Sequence, residues 1–407
     1  MRGLRTVEVF QQRSLVISFL PVSGWLIFLA VLVTSLPPVL ALRNRRMQKP
    51  AAAPPHQPDG RPHVSVIMPA RNEGAMIAEA IRTVLSTQLV DFELILVNDR
   101  STDDTGAVMD RAAVADSRVR VIHISDLPAG WLGKNHAMHT AAENAAGEFL
   151  LFTDGDILYQ PETIAAAVEY ANREQLQHLC LLPRMIPGSL IENVLTTFFG
   201  MCFAIGMQLH LIRTRFPLSY AGVGAFNMIR ADFYRQCGGH LPIRMDVLDD
   251  VKLGKLAKRS GGRSDFLLAE DWLSVRWQPS LWGVICGLEK NGFASLNYSL
   301  LQISLVTVLF TLIFVLPFAI PAVAIAGILT WEAAAGFAAT AILWHLLFLW
   351  LVASLPQGVR MVPFFLAGPW LMAFAYWRSA VITLRQGGVR WRDSFYSLAE
   401  LRSSIYH

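Results

Sequence analysis

Charged side chains are scarce in this chain. Asp, Glu, Lys and Arg supply 16% of its 407 residues, against about 25% in soluble domains. That excludes an ordinary cytosolic enzyme, and the 53% share of hydrophobic types excludes general disorder. Cysteine is scarcer still. Cys180, Cys202, Cys237 and Cys286 lie far apart and form no CxxC unit, so neither a disulfide framework nor a cysteine zinc site is expected. There is no dense basic stripe with interleaved aromatics, and 35 Lys+Arg nearly balance 31 Asp+Glu. A nucleic-acid partner is therefore not expected. No internal repeat occurs at solenoid periods.

Apolar sequence is abundant and concentrated at the two ends. Residues 14 to 42 carry no charged side chain, and roughly 20 apolar helical residues suffice to cross a bilayer core. Arg43, Arg45, Arg46 and Lys49 follow at once. The run is too long for a cleaved signal peptide, and basic residues stand where a small-residue cleavage site belongs. Residues 1–48 thus read as a membrane anchor with everything downstream cytoplasmic. A Pro-rich linker occupies 49–62. Residues 291–380 hold a second apolar block, interrupted by Glu332 and Arg360, in which three or four crossings are expected. Pro317 and Pro321 are expected to divide its first run into a hairpin. Residues 381–407 form a basic tail.

Between these blocks, residues 63–290 read as one domain in which strand and helix alternate. VSVIMPA (Val64 to Ala70) and FELILVND (Phe92 to Asp99) are short apolar runs, the second nearly continuous, as in parallel strands covered on both faces. Val119 to His123 and Glu148 to Thr153 repeat the pattern. Helices are expected over Gly74 to Ser86, Asp103 to Ala115 (capped by Ser101 or Thr102) and Lys134 to Ala146. The order predicts an α/β domain with a mixed, mostly parallel sheet. A further apolar segment, residues 189–213, reads either as a buried helix or as one lying in the membrane interface.

Ligands of such sheets bind beyond the carboxyl ends of the strands, and polar clusters fall there. Asp154 and Asp156, separated by Gly155, can approach one hard cation such as Mg²⁺ or Mn²⁺; a capped turn is the plainer alternative. Asp99 can accept from a ribose hydroxyl or a base N–H. Lys134 opens a predicted helix, where a cation is unfavourable unless it meets an anion; a diphosphate would satisfy it. Asp249 and Asp250 precede another helix, so one can cap while the other acts as a general base. Arg276 and Trp277 suit the rim of a cleft or a membrane-interface anchor. His136 and His139 lack further ligands at matching spacing.

PARNE, VNDRSTDDT, GKNHA, FTDGD and LDDVKLGKLAKRSGG occur in the order seen in family 2 glycosyltransferases of the GT-A fold, which residues 61 to 290 resemble. Among membrane-bound members the chain looks most like bacterial hopene-associated, carotenoid and ceramide-type enzymes. The resemblance implies that Ala70, Arg71, Asn72, Glu73 and Asp99 hold the nucleotide, with Lys134 and Asp154 near its diphosphate. It implies a divalent cation at Asp154 and Asp156, and Asp250 as catalytic base beside Asp249. Arg276 and Trp277 match the end of a Q/RxxRW motif, but Leu273 stands where Gln or Arg would be. That departure favours single-sugar transfer.

The activity so implied is inverting, non-processive transfer from a nucleotide-diphospho-sugar to a membrane lipid hydroxyl. It would take place at the cytoplasmic face of a bacterial inner membrane. Transfer to polyprenyl phosphate is the nearest alternative, and its anionic acceptor needs no strong base. A transporter or scaffold with a nucleotide-sensing domain is a third. Transport usually needs polar groups inside the spans, and these offer little beyond Glu332 and His345.

Overall fold

A computed structural model describes residues 2–50, 63–355, 357–391 and 394–406, the side chains of 2–18 and Ala75 excepted. The expected Pro-rich linker lies outside the described residues from residue 51 onward. The chain forms two compact units. One comprises Met1–Leu40, Gly188–Gly206 and Ser280–Ala380; the other comprises Ala41–Pro187, Met207–Pro279 and Val381–His407.

The second unit is built on a sheet of β1 (Val64–Ala70), β2 (Phe92–Asp99), β3 (Val119–Ile124), β4 (Phe149–Phe152), β5 (Leu158–Tyr159), β6 (His178–Met185), β7 (Asn227–Arg230) and β8 (Ser264–Val275). Their order is β3-β2-β1-β4-β7-β6-β8-β5. The β3-β2-β1-β4 half is parallel, whereas β7 runs antiparallel to both β4 and β6. This is a mixed α/β sheet of the GT-A kind. Alternation along β1 explains its largely apolar sequence, broken only by Ser65. Val64, Val66 and Met68 face one core, and Ile67 faces the other.

β1 lies between β2 and β4, so the chain reverses direction across the sheet beside it. Such a switch point leaves a crevice at the strand ends. The ends of β1, β2 and β4 carry the polar clusters noted above. Two expectations shift here. The second helix begins at Thr105 with Asp104 as its N-cap residue, and its first N–H is met by Asp103, whose Oδ1 accepts from Thr105 N at 3.0 Å, so neither Ser101 nor Thr102 has that role. The basic tail is also structured. It pairs β9 (Gly388–Trp391) with β10 (Ser394–Ser397) and ends in the Leu398–Ser403 helix, closed by a Ser397–Glu400 capping box.

The chain after the anchor joins this unit as well. Arg46 bridges to Leu268 of β8, and Arg45 pairs at 2.5 Å with Asp265, itself 1% exposed. Part of the basic cluster read as a topology signal therefore also neutralises a buried carboxylate.

The other unit is helical. Phe19–Asn44, Leu300–Ile325 and Trp331–Val352 are each long and apolar enough to cross a membrane; Gly358–Phe364 with Ala367–Gln386, bent by 66°, makes a fourth if counted as one span. At most three of these belong to 291–380 among the described residues, below the upper expectation of four. The expected hairpin at Pro317 and Pro321 is absent, because the helix runs through both prolines. Pro317 cannot donate to the carbonyl of Ile313, but the Trp344 indole N–H does, at 2.7 Å, beside a π-helical turn at Thr311–Val315. The chain instead reverses after Ile325, with Gly327 at φ 74°. Gly24 and Gly336 let two spans nearly touch: a Cβ at Gly336 would come 2.4 Å from the Trp25 backbone. The apolar segment expected at 189–213 is helical over Leu190–Gly206 and belongs to this unit, where Phe198 packs on Phe310, Phe314 and Phe365.

Candidate active site

Asp154 leaves β4 on a turn that is held from several sides. Its N–H donates to Gly224 O at 2.9 Å. The preceding Thr153 hydroxyl donates to Ala225 O and accepts from the buried Tyr159 hydroxyl. The turn's shape is thus set by the loop ahead of β7 as well as by its own Asp-Gly sequence.

Lys134 opens the Gly133–Glu143 helix, and its ammonium lies 2.8 Å from Asp154 Oδ1 and 3.0 Å from Asp249 Oδ2. Asp249 and Asp250 begin the Asp249–Arg259 helix. Asp250 Oδ2 accepts from Gly224 N at 2.8 Å, and Oδ1 accepts from Val251 N. A small cavity is lined by residues that include Lys134, Asp154, Gly224, Asn227, Asp249 and Asp250. The ends of two strands and two helices thus converge on one hole, and Gly224 has a part in both halves. Its carbonyl holds Asp154, its N–H holds Asp250, and a Cβ there would come 2.5 Å from Asp154 Oδ2.

The electrostatics follow from burial and crowding. Burial works against the charge on Lys134, but Asp154, Asp249 and Asp250 outweigh it and raise its pKa well above the ordinary value. Burial, reinforced by Asp249, pushes Asp250 up to about 6 against the pull of Lys134. Burial, then the charges of Asp154 and Glu73, pushes Asp156 up to about 7. Such crowding of carboxylates is what a divalent cation relieves, and their hard oxygens suit Mg²⁺ or Mn²⁺. No three His, Cys, Asp or Glu side chains converge as a ligand set among the described residues. Asp154 and Asp156 are the crowded carboxylates whose oxygens fit such an ion.

The residues expected around a nucleotide do not line that cavity; they stand beside it, Ala70 and Glu73 near Gly155 and Asp99 near Gly133. Ala70 ends β1, and Arg71, Asn72 and Glu73 make the turn into the next helix. Asn72, at φ 55°, accepts from Thr102 N at 2.8 Å, and Glu73 N donates to Thr105 Oγ1. Asp103 receives Gly74 N, so the ends of β1 and β2 are stitched together. Asp99 is held by Arg100 at 2.7 Å. Its carboxylate sits against Gly133, where a Cβ would come within 2.5 Å. Arg276 donates to the carbonyls of Ile186 and Pro279, and neither it nor Trp277 lines the cavity.

Several residues that shape the site were missed in the sequence. Buried Asn135 donates to the carbonyls of Ile243, Arg244 and Asp246, drawing the loop before Asp249 onto the start of the Lys134 helix. Its signal was a polar residue on the same helix face as Met138. The tail contributes Tyr396, whose hydroxyl accepts from Gly133 N at 3.3 Å, and Ser394, which accepts from Arg71. Nothing in the local sequence marked that return.

Parts of the chain are similar to known proteins. Residues 65–238 match the family described as glycosyl transferase family 2. The chain is 35% identical over 115 residues to the uncharacterized glycosyltransferase EpsJ of Bacillus subtilis, which covers 28% of this chain and 32% of that protein. It is 25% identical over 195 residues to 4,4'-diaponeurosporenoate glycosyltransferase of Staphylococcus aureus, 47% of this chain and 50% of the relative. It thus spans half or less of the length of these curated relatives. A mannosyltransferase from Pyrobaculum calidifontis, solved with GDP-Man and Mn²⁺, aligns over 89% of this chain and 98% of its own at 18% identity, with a TM-score of 0.49. Residues 65–238 are thus similar to glycosyl transferase family 2, and they lie in a mixed α/β sheet of the GT-A kind.

Proposed function

We propose that the protein transfers a single sugar, with inversion, from a nucleotide-diphospho-sugar to the hydroxyl of a membrane lipid. The observation that carries this reading is the position of Lys134. Its ammonium bridges Asp154, on the strand-end turn, to Asp249, next to Asp250, so carboxylates suited to the two ends of a displacement share one cavity. Ala70, Arg71, Asn72, Glu73 and Asp99 form the nucleotide rim, and Asp154 and Asp156 are the metal ligands. A Mg²⁺ or Mn²⁺ ion bound there neutralises charge on the diphosphate.

The rest of the chemistry belongs to the chain. Asp250 takes the proton of the lipid hydroxyl as that oxygen bonds to the anomeric carbon; the bond from that carbon to the diphosphate oxygen breaks, and the nucleoside diphosphate leaves with the electron pair. With a pKa near 6, Asp250 is ionised at neutral pH yet more basic than an ordinary carboxylate, which suits a general base. Lys134 faces the charge developing on the leaving group. Single-sugar transfer is supported by Leu273, which is buried in the core and pairs with Tyr159 across the β5–β8 ladder. The basic residues after the first span argue for a cytoplasmic catalytic unit.

The test incubates membranes containing the protein with labelled nucleotide sugars and Mg²⁺ or Mn²⁺, followed by mass spectrometry of the extracted lipid. We expect one labelled lipid glycoside, and an Asp250→Asn enzyme that binds donor normally but does not transfer. Wild-type turnover by Asp250→Asn removes Asp250 from the base role, and an acid-labile product made at the same rate assigns the acceptor to a polyprenyl phosphate.

A further inference from the structure

Beneath the site, the buried ends of β6 and β7 carry polar side chains that the chemistry above does not use. Asn227, the first residue of β7, is 1% exposed, as is His178 at the start of β6. Asn227 Nδ2 lies 3.1 Å from the backbone carbonyl of Asp250, and its Oδ1 lies 2.6 Å from His178 Nε2. We propose that Asn227, locked in orientation by His178, is a positioning residue that fixes Asp250 through its backbone. The inference rests on the reading of Asp250 as the base.

The orientation follows from donors and acceptors. A carbonyl can only accept, so the amide must turn its NH₂ toward Asp250 and its oxygen toward His178. His178 must then carry its proton on Nε2. A reversed amide would set two acceptors against each other at Asp250, so the Asp250 carbonyl selects one rotamer of Asn227 and the His178 Nε2–H holds it there. The neighbourhood leaves no slack. The Cys180 thiol donates to Ala221 O at 3.3 Å, and a Cβ on Gly222 would come 1.7 Å from Asp250 O.

The helix itself supplies only part of this hold, through Val251 N on Asp250 Oδ1. Its N-cap is Leu248, which has no capping side chain. The first turn is instead held from outside, by Gly224 N on the Asp250 carboxylate and by Asn227 on the Asp250 carbonyl. Burying an amide and an imidazole in a sheet interior costs stability unless their bonds are made. The bond that Asn227 makes toward the helix goes to the residue read as the base.

Asn227→Asp keeps the shape and loses the donor. In the full-length enzyme, with the panel sugar nucleotide that the wild type turns over fastest, we expect kcat to fall ~100-fold, the scale of an ångström-level misplacement. The donor KM and the affinity for Mn²⁺ alone should stay within about twofold, where general loosening of the fold would move all three. His178→Gln keeps an N–H donor and should stay within about threefold of wild type, whereas His178→Leu should fall at least ~10-fold. Unchanged kcat in Asn227→Asp overturns the proposal. If that variant fails to fold, equal kcat for His178→Gln and His178→Leu does so. Asp250→Asn, assayed alongside, separates the two failures: full activity there removes the base, whereas an inactive Asp250→Asn with an unaffected Asn227→Asp removes the positioning role alone.

Discussion

Replacing Lys134 by Met removes the cation that faces Asp154, Asp249 and Asp250 and keeps a chain of similar volume. Its contact with Asp249 is 3.0 Å long and joins a side chain 21% exposed to one 7% exposed, whereas the Asp154 partner is 40% exposed. Solvent screens the Asp154 contact, which adds little. Removing one member of a buried pair costs roughly 3–5 kcal/mol. Because Lys134 is partly exposed and Asp250 can take up a proton, the low end applies, about 3 kcal/mol. At 2–4 °C per kcal/mol for a domain of this size, melting should fall by roughly 6–12 °C.

The sign with pH is fixed by the direction of the Lys134 shift. Its folded pKa is raised above the unfolded one, so its contribution is complete below the ordinary lysine value and is lost only as pH rises through the folded pKa. A melt near pH 8 therefore measures the whole effect. The assay is thermal unfolding of the purified full-length protein, wild type and Lys134→Met, with chelator and with Mn²⁺. The gap should be widest with chelator, and should narrow with Mn²⁺ or as pH falls toward about 6, because Asp250 without the Lys134 cation protonates at higher pH than in wild type. Melting within ~1 °C of wild type under chelation, or a gap indifferent to Mn²⁺, would refute the reasoning.

Two further outcomes are expected. With Mn²⁺ saturating, so that Asp156 stays ionised despite its metal-free pKa of about 7, transfer measured as kcat/KM should be flat above pH 7 and fall about tenfold per unit well below pH 6, as Asp250, with its pKa of about 6, becomes protonated; a profile level down to pH 5 would contradict its role. Gly224→Ala inserts a Cβ 2.5 Å from Asp154 Oδ2 at the residue whose N–H holds Asp250, so transfer should drop by ~100-fold or more while far-ultraviolet circular dichroism stays unchanged; wild-type rates would mean that the loop yields freely.

The parallel half of the sheet was legible because each strand carries its own signal. β1 and β2 begin and end where their apolar runs do, since strands buried on both faces have no reason to alternate. The polar residues at their ends were legible for the converse reason. A buried strand that stops at Asn98-Asp99 or Asp154 leaves those side chains in the crevice, whatever the rest of the chain does. Asp249 and Asp250 were visible as a pair, but their distance in sequence from Asp154 hid the link. Lys134 supplies that link across three elements, and no spacing rule brings Asp154, Asp249 and a helix N-terminus to one ammonium.

What escaped the sequence is what one segment does for another. Pro317 reads as a break because the lost hydrogen bond is local, while its replacement, the Trp344 indole, comes from another helix. Arg45 reads as a topology signal because its partner Asp265 lies 220 residues on. The tail reads only as basic sequence, yet Tyr396 and Ser394 return to Gly133 and Arg71. The same logic applies to the loop from Ala221 to Asn227. Its glycines look like a generic turn, and only the fold makes Gly224 the residue that both Asp154 and Asp250 lean on. A residue's own chemistry can be read from its type, but the atom that aims it must be read from the packing. The side chains proposed to carry the reaction could therefore be nominated from the chain alone, and those that hold them could not.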